Sequence, residues 1–210
     1  MKIAIIGSGN IGKSLGGWAA TVGYQVTFSA KNADHAKAAA DAAGHGAQAA
    51  SVSDAVAAAD MIVLAVPYSA VGEVVNEIKL LLKGKTLIDV TNALKPDYSG
   101  LAVGLTTSGA EELARLAPEA NVVKAFNTVF APIFAAKDPK IAGRAISVIF
   151  AGDDVEAKGK VKTLITKLGF DAIDAGPLSA ARNIEPMGML NIQLGFMQGL
   201  GTGIGFTLLR

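Results

Sequence analysis

Three glycines near the start of the chain form the first pattern with chemical meaning. Gly7, Gly9 and Gly12 are spaced as G-x-G-x-x-G. At this spacing the first glycine permits a tight turn, the second lets the backbone approach a diphosphate, and the third lets a helix pack closely on a strand. The first amides of that helix then point at the anion. The pattern predicts dinucleotide binding if a strand precedes it and a helix follows it. The predicted binding residues of this glycine loop are Gly7, Ser8, Gly9, Asn10, Ile11 and Gly12.

The flanking sequence supplies that context. Residues 3–6 are a continuous apolar run, typical of a strand covered on both faces. Residues 10–22 have helical character and end at Gly23, a suitable residue after a helix C-terminus. Similar alternation continues along the chain. Strands are predicted at 25–29, 47–50, 61–66, 86–90, 121–125, 145–150 and 170–174. Helices are predicted at 33–43, 70–82, 110–116 and 155–168. Two more are predicted to begin at an N-cap at Ser53 and near Leu178.

Strands that alternate with helices at this spacing indicate βαβ units and a largely parallel sheet. The predicted fold class is therefore α/β, a doubly wound Rossmann fold with a mostly parallel sheet. Residues 1–175 form the predicted Rossmann domain, and residues 92–107 are expected to be a loop. Residues 176–210 are expected to be an appended C-terminal helical segment, which is not an independent domain.

The end of the second predicted strand decides which nucleotide is preferred. Sites selective for NAD carry Asp or Glu there for the ribose 2′-hydroxyl, whereas NADP sites offer a cation and small polar groups. Here the segment reads Ser29, Ala30, Lys31 and Asn32, and no carboxylate occurs before Asp34. These four residues are predicted to bind the cofactor, which favours NADP(H). The alternative, that Lys31 is an ordinary surface lysine, stays open.

The opposite lip of the expected crevice follows the later strands. Val66 and Pro67 come after the fourth predicted strand, beside the point where the strand order reverses and ligands bind. Asn92 and the pair Asn127–Thr128 follow the next two strands. We expect Val66, Pro67 and Asn127 to contact the nicotinamide end of the cofactor. Each asparagine has an equally reasonable role as a turn former or cap.

Hydride transfer between a nicotinamide and a flavin-like ring needs close positioning and exclusion of water rather than a strong acid or base. The crevice candidates agree with that chemistry, because they include no His or Cys. We therefore predict no catalytic side chain, only positioning by the nearby Pro67, Asn127 and Thr128.

Composition excludes several other functions. The chain has no Cys and only two His, so a metal site is not expected. A formal net charge of +1 provides no field for nucleic acid. The N-terminal apolar run is too short for a signal peptide, and a cytoplasmic location is expected.

The run from Pro186 to Leu209 is uncharged. Its amides and glycines make it a poor membrane span, so a buried helix or a subunit interface is expected instead. Within the run, Gly195 and Gly199 are four residues apart and are expected on one side of a helix. Small residues at that spacing let two helices approach closely. The expected assembly is a homodimer in which each tail packs on the partner. The apolar positions at helical spacing are Met187, Leu190, Leu194 and Met197.

Several of these segments occur together in a known family. They are residues 7–12, 28–32, 66–67, 123–128 and 174–178, in that order. In this combination the chain resembles NADPH-dependent reductases of the deazaflavin coenzyme F420, and the cytosolic domain of the six-transmembrane metalloreductases is similar. The resemblance covers essentially the whole chain. This sequence departs from the family pattern at one place, where Ala30-Lys31 replace the common Ser-Arg. A hydroxyl is lost, and a bidentate guanidinium is replaced by the point charge of an ammonium. Reduced selectivity for the 2′-phosphate is therefore expected.

The resemblance implies NADP on the glycine loop and on the Ala30–Lys31 turn. It implies a flavin-like acceptor, coenzyme F420 or FMN/FAD, stacked near Pro67, Asn127 and residues 176–189, and a homodimer built with the C-terminal helix. Arg182 is expected to meet an anionic part of the acceptor, with a helix-surface salt bridge as the alternative. The candidate acceptor-binding residues are Thr128, Gly176, Pro177, Leu178, Arg182 and Met187.

Two other functions stay open on sequence alone. A hydroxy-acid or imino-acid dehydrogenase begins with a similar loop but usually needs a large helical second domain with a catalytic Lys, and no Lys follows Asp174 here. A non-enzymatic NADP-binding redox sensor is equally compatible with the lack of an acid or base. Turnover of NADPH with acceptors separates the sensor from the reductase.

Overall fold

The computed structural model describes all 210 residues, which form an α/β fold. The strands of the main sheet are β1 (Lys2–Ile6), β2 (Gln25–Ser29), β3 (Gln48–Ala49), β4 (Met61–Leu64), β5 (Thr86–Asp89), β6 (Asn121–Lys124), β9 (Ser147–Gly152) and β10 (Asp171–Asp174), and a small hairpin consists of β7 (Lys140–Ile141) and β8 (Arg144–Ala145). The helices are α1 (Asn10–Thr21), α2 (Ala33–Ala43), α3 (Val52–Ala58), α4 (Val71–Ile78), α5 (Gly109–Leu116), α6 (Ala131–Ala136), α7 (Val155–Lys167) and α8 (Ala181–Ile192).

The sheet has eight strands in the order β10-β9-β6-β5-β4-β1-β2-β3. Strands β1 to β6 are mutually parallel, whereas β9 pairs antiparallel with β6 and β10 pairs parallel with β9. The predicted Rossmann fold with a mostly parallel sheet is confirmed. The strand order reverses between β1 and β4, which is where such sheets open a ligand crevice.

Apolar residues on both faces of the central strands explain why this sheet is buried. In β1, Ile3 and Ile5 pack into the core beneath α1, while Ala4 and Ile6 pack into the core on the other face. A continuous apolar run is what a strand covered by helices on both sides requires.

Some element boundaries differ from the predictions. The strand predicted to reach Val66 ends at Leu64, and the helix predicted over 70–82 is α4 with short 3₁₀ turns at each end. The predicted N-cap at Ser53 is wrong. The Ser51 side chain instead accepts the backbone N–H of Asp54, because the hydroxyl of an N-cap residue reaches the amide three positions later. Helix α6 and the β7–β8 hairpin were not predicted.

The C-terminal segment folds back on its own chain. Helix α8 continues into one π-helical turn at Gln193–Met197, and the chain then returns so that the Phe206 carbonyl accepts the N–H of Ser147 at 2.8 Å. No helix of the structure combines the length and the hydropathy needed to cross a bilayer.

The prediction that Gly195 and Gly199 lie on one side of a helix is wrong. Gly199 has a φ of +72° and lies beyond the helix. A Cβ atom at Gly195 would lie 2.9 Å from the Gly201 carbonyl oxygen and 3.0 Å from the Phe130 ring, so this glycine permits packing within the chain.

A cluster of buried charges fastens α8 to the sheet. The Lys124 ammonium lies 2.9 Å from Asp89 Oδ2, 3.2 Å from Glu185 Oε1 and 2.6 Å from the carbonyl oxygen of Thr91. All three charged side chains are at most 1% exposed. The Glu185 carboxylate also accepts the N–H groups of Gly109 and Ala110 at the start of α5. The buried lysine cluster (Lys124, Asp89 and Glu185) thus joins β5, β6, α5 and α8.

Replacing Lys124 by Met should destabilise the protein by about 3–5 kcal/mol, because two buried carboxylates lose their shared cation. The control is Lys158→Met, which removes a partly exposed ion pair with Asp174 and should cost less than about 1 kcal/mol. Urea unfolding of both variants measures the difference. Equal, small losses of unfolding free energy in the two variants would show that the buried lysine cluster does not hold the fold together.

Candidate functional site

The glycine loop joins β1 to α1 at the carboxyl edge of the parallel strands. Gly7 has a φ of +106°, and a Cβ atom there would collide with the Ala65 carbonyl. A Cβ atom at Gly12 would collide with the carbonyl oxygen of Gly7. The fold itself therefore requires glycine at both positions.

Gly9 is different. Its φ of −71° suits any residue, and a Cβ atom there would meet no atom within 4 Å. Neither backbone conformation nor packing within the chain explains this glycine. Helix α1 also begins without a side-chain cap and without an acidic residue in its first turn. Four helices, α2, α3, α5 and α7, have side-chain caps, whereas α4, α6 and α8 have none. Helices α4 and α8 continue from 3₁₀ turns and α6 has Pro in its first turn, which is not so for α1. Free space beside Gly9 and uncapped helix amides fit the diphosphate of a dinucleotide.

Two asparagines form the opposite side of the crevice. Asn127 Nδ2 donates to Asn92 Oδ1 and to the Ile184 carbonyl, and Asn92 Nδ2 donates to the Asn127 carbonyl, each at 3.2 Å. Reversing the Asn127 amide would set its oxygen against two acceptors, so the hydrogen bonds determine its orientation. The Asn127 Oδ1 atom is then buried without a partner. A buried acceptor of this kind is costly unless a ligand satisfies it.

Helix α8 packs closely against this asparagine pair. A Cβ atom at Gly188 would lie 2.5 Å from Asn92 Oδ1 and 2.6 Å from Asn127 Nδ2. Only glycine at this helix position leaves the two amides in place. Gly188 was not among the predicted site residues, although a glycine inside a helix is a signal of close approach.

A cavity of about 370 Å³ connects the two sides of the crevice. Its size lies within the usual range for small-molecule pockets. The residues that face each other across it include Asn10 and Ile11 of α1, Asn127 and Thr128 after β6, and Gly188 and Ile192 of α8.

The turn that presents Asn127 contains an unusual backbone conformation. Phe126 has a φ of +65°, a left-handed value that bulky residues rarely adopt. Its ring packs edge-on against Phe134 and Phe170, with ring centroids 5.9 and 6.4 Å apart. This packing holds the strained turn directly before Asn127, as is common at functional sites.

Val66 and Pro67 follow β4 and lie beside the glycine loop. Val66 Cγ1 lies 3.0 Å from the Cβ position of Gly7, and the exposed Pro67 follows. The next residue, Tyr68, is half-buried; burial raises the pKa of its phenol, and the Glu112 carboxylate raises that pKa further. Tyr68 therefore stays protonated at neutral pH.

The residues predicted to select the nucleotide have separate roles. The Ser29 carbonyl accepts the N–H of Gly7 at 2.8 Å, while the Ser29 hydroxyl is buried and unpartnered. The Asn32 side chain accepts the N–H of Asp34 as the N-cap of α2. Ala30 is half-buried, and the ammonium of the exposed Lys31 lies 3.6 Å from Glu73 Oε1 on α4.

Three predicted acceptor-binding residues, Gly176, Pro177 and Leu178, are not near the crevice of their own chain. They follow β10, which runs opposite to β1–β6, so its carboxyl end lies at the other edge of the sheet. The Leu178 N–H donates to Asp153 Oδ1 there, at 2.8 Å. The prediction assumed that all strands end at the same edge.

Arg182 and Met187 also differ from expectation. The Arg182 guanidinium binds both carboxylate oxygens of Glu111, which is the salt-bridge alternative. This hydrogen bonding lowers the pKa of Glu111. Met187 is partly buried beside Gly188 but does not line the cavity. Thr128 does line it, and its carbonyl accepts Asn191 Nδ2 at 2.9 Å.

Comparison with known proteins agrees with this geometry. Residues 2–93 match a family model described as NADP oxidoreductase, coenzyme F420-dependent. The chain is 32% identical over 209 residues to the F420-dependent NADP reductase of Methanothermobacter thermautotrophicus, covering 92% of this chain and 89% of that protein. A solved structure from Arthrobacter sp. FB24, with a proposed F420-dependent NADP reductase function, is 30% identical with a TM-score of 0.90, and each chain is covered completely.

A second group of relatives is much longer. Metalloreductase STEAP3 of Rattus norvegicus is 32% identical over 187 residues, which cover 88% of this chain but 36% of that protein. The chain thus spans about a third of the length of the metalloreductase. The similarity to the archaeal reductase extends over nearly all of both chains, and on that basis this chain belongs to the coenzyme F420-dependent NADP oxidoreductase family.

Proposed function

We propose that this protein binds NADP(H) and transfers a hydride between NADPH and a flavin-like acceptor. The observation that carries the proposal is Gly9, a glycine that the fold does not require, beside the uncapped start of α1. The free space beside Gly9 suits a diphosphate, and no contact within the chain explains why a glycine occupies this position. The relatives named NADP reductases support the same nucleotide.

The residues of the chain would bind the nucleotide and the acceptor, orient them and exclude water. Backbone amides of the glycine loop would hold the diphosphate, and Lys31 would attract the 2′-phosphate. Asn127 Oδ1 would accept a hydrogen bond from the carboxamide of the nicotinamide. Bound NADPH supplies the hydride, so no side chain needs to act as an acid or base.

The cavity between α1, the Asn127 turn and α8 is the proposed acceptor site. Its volume suits one stacked ring system rather than a whole second dinucleotide. The acceptor would be coenzyme F420, a free flavin, or ferric iron reduced through a flavin. The assignment is tested by mixing NADPH and the protein with each of these acceptors and following the absorbance of NADPH. If the protein binds NADPH but reduces none of the acceptors, it is a redox sensor.

Gly9→Val should abolish NADPH binding while the fold persists. The branched side chain would project into the space for the diphosphate, and no protein atom lies within 4 Å of its Cβ. Calorimetric titration with NADPH measures the loss, and unchanged thermal unfolding shows that the fold is intact. Wild-type affinity in this variant would contradict the proposed site.

Asn127→Ala should weaken NADPH binding about five- to tenfold, since a buried hydrogen bond contributes roughly 1–1.5 kcal/mol. Binding of 2′,5′-ADP, which lacks the nicotinamide, should not change. Asn183→Ala, at an exposed position of α8, is the matched control. Equal losses for NADPH and 2′,5′-ADP would mean that Asn127 supports the fold rather than the nicotinamide.

We also propose a homodimer formed by apolar residues in the last turn of α8 and directly after it. Leu190, Phe196, Met197 and Leu200 are large hydrophobic side chains left exposed on one chain. Phe196 also lines the cavity, so a partner covering it would close the acceptor site.

Phe196→Asp should convert this dimer to a monomer, because burying one such side chain contributes roughly 1.5–3 kcal/mol and an unpaired carboxylate opposes burial. Leu80→Asp, at an exposed leucine after α4, should leave the dimer intact. Multi-angle light scattering measures both masses. A monomeric wild-type protein would overturn the proposal.

A further inference from the structure

We propose that Glu73 reduces the selectivity of this protein for NADP over NAD. The inference rests on the proposed nucleotide site and identifies a residue that sets its specificity. It arises from an ion pair across the crevice, between the residue expected to bind the 2′-phosphate and a carboxylate on the opposite wall.

Lys31 and Glu73 lie on opposite sides of the glycine loop. Lys31 follows β2, and Glu73 is in the first turn of α4, which follows β4. Because β1 lies between β2 and β4 in the sheet, the two side chains reach toward each other over the loop. The Lys31 ammonium lies 3.6 Å from Glu73 Oε1, and the two side chains are 93% and 75% exposed.

The carboxylate is therefore placed to oppose the phosphate that Lys31 attracts. A 2′-phosphate that reaches Lys31 must displace Glu73 or lie within a few ångströms of it. Repulsion between like charges at such a distance in water weakens binding roughly fivefold. The pair itself is weak, as exposed ion pairs are, so the nucleotide can separate it.

The same carboxylate favours the nucleotide without a phosphate. Sites selective for NAD place an acid at the end of the second strand, where it accepts a hydrogen bond from the ribose 2′-hydroxyl. Here β2 ends in Ser29, and no acid follows before Asp34. Glu73 supplies the missing carboxylate from α4. Together with a lysine point charge at position 31, this predicts use of both nucleotides.

The test measures binding of 2′,5′-ADP and 5′-AMP, two fragments that differ only in the 2′-phosphate and lack the nicotinamide. In Glu73→Gln the ratio of the 5′-AMP dissociation constant to that of 2′,5′-ADP should rise about fivefold. Added salt should shrink the change, because the charges are exposed. Glu77→Gln, one turn further along α4 and also exposed, should leave the ratio as in the wild type.

An unchanged ratio in Glu73→Gln, or an equal rise in Glu77→Gln, would overturn the role of Glu73 while the nucleotide site stands. If the wild-type protein binds neither fragment, the proposed nucleotide site fails, and the inference fails with it.

Discussion

The ion pairs of Lys124 are the interaction on which the arrangement of the crevice depends. A lysine at the end of β6 is buried completely, and it is tolerable there only because Asp89, Glu185 and the Thr91 carbonyl surround its ammonium. The three charged residues belong to different parts of the site. Asp89 and Thr91 precede Asn92, Lys124 precedes Asn127, and Glu185 is one turn before Gly188. Moving any of these elements would leave a buried charge without its partner.

With those elements in place, the crevice combines two kinds of glycine. Gly7, Gly12 and Gly188 allow parts of the chain to approach more closely than a Cβ atom permits, so they shape the walls. A Cβ atom at Gly9 would meet no atom of the protein within 4 Å, which leaves space for a ligand. On the β6 side of the crevice, the Asn127 Oδ1 atom is buried without a partner.

The sequence predicted the fold well because apolar runs and glycine turns report local structure directly. The glycine loop, the Pro67 lip and the Asn127 turn were predicted because each follows a strand that belongs to the parallel set. Gly176 to Leu178 were misplaced because the reversed direction of β9 and β10 depends on tertiary pairing that no local pattern records. The pairing of Arg182 with Glu111 and of Lys31 with Glu73 joins residues distant in sequence, so residue type alone could not predict it.

We propose that the glycine loop and the Asn127 turn hold a nicotinamide against a flavin-like ring for direct hydride transfer. The most direct measurement follows the label from NADPH deuterated at the transferred position of the nicotinamide to coenzyme F420. The deuterium should appear on the ring carbon of the reduced deazaflavin without exchange with water. Loss of the label to solvent, or no transfer to any flavin-like acceptor, would contradict it.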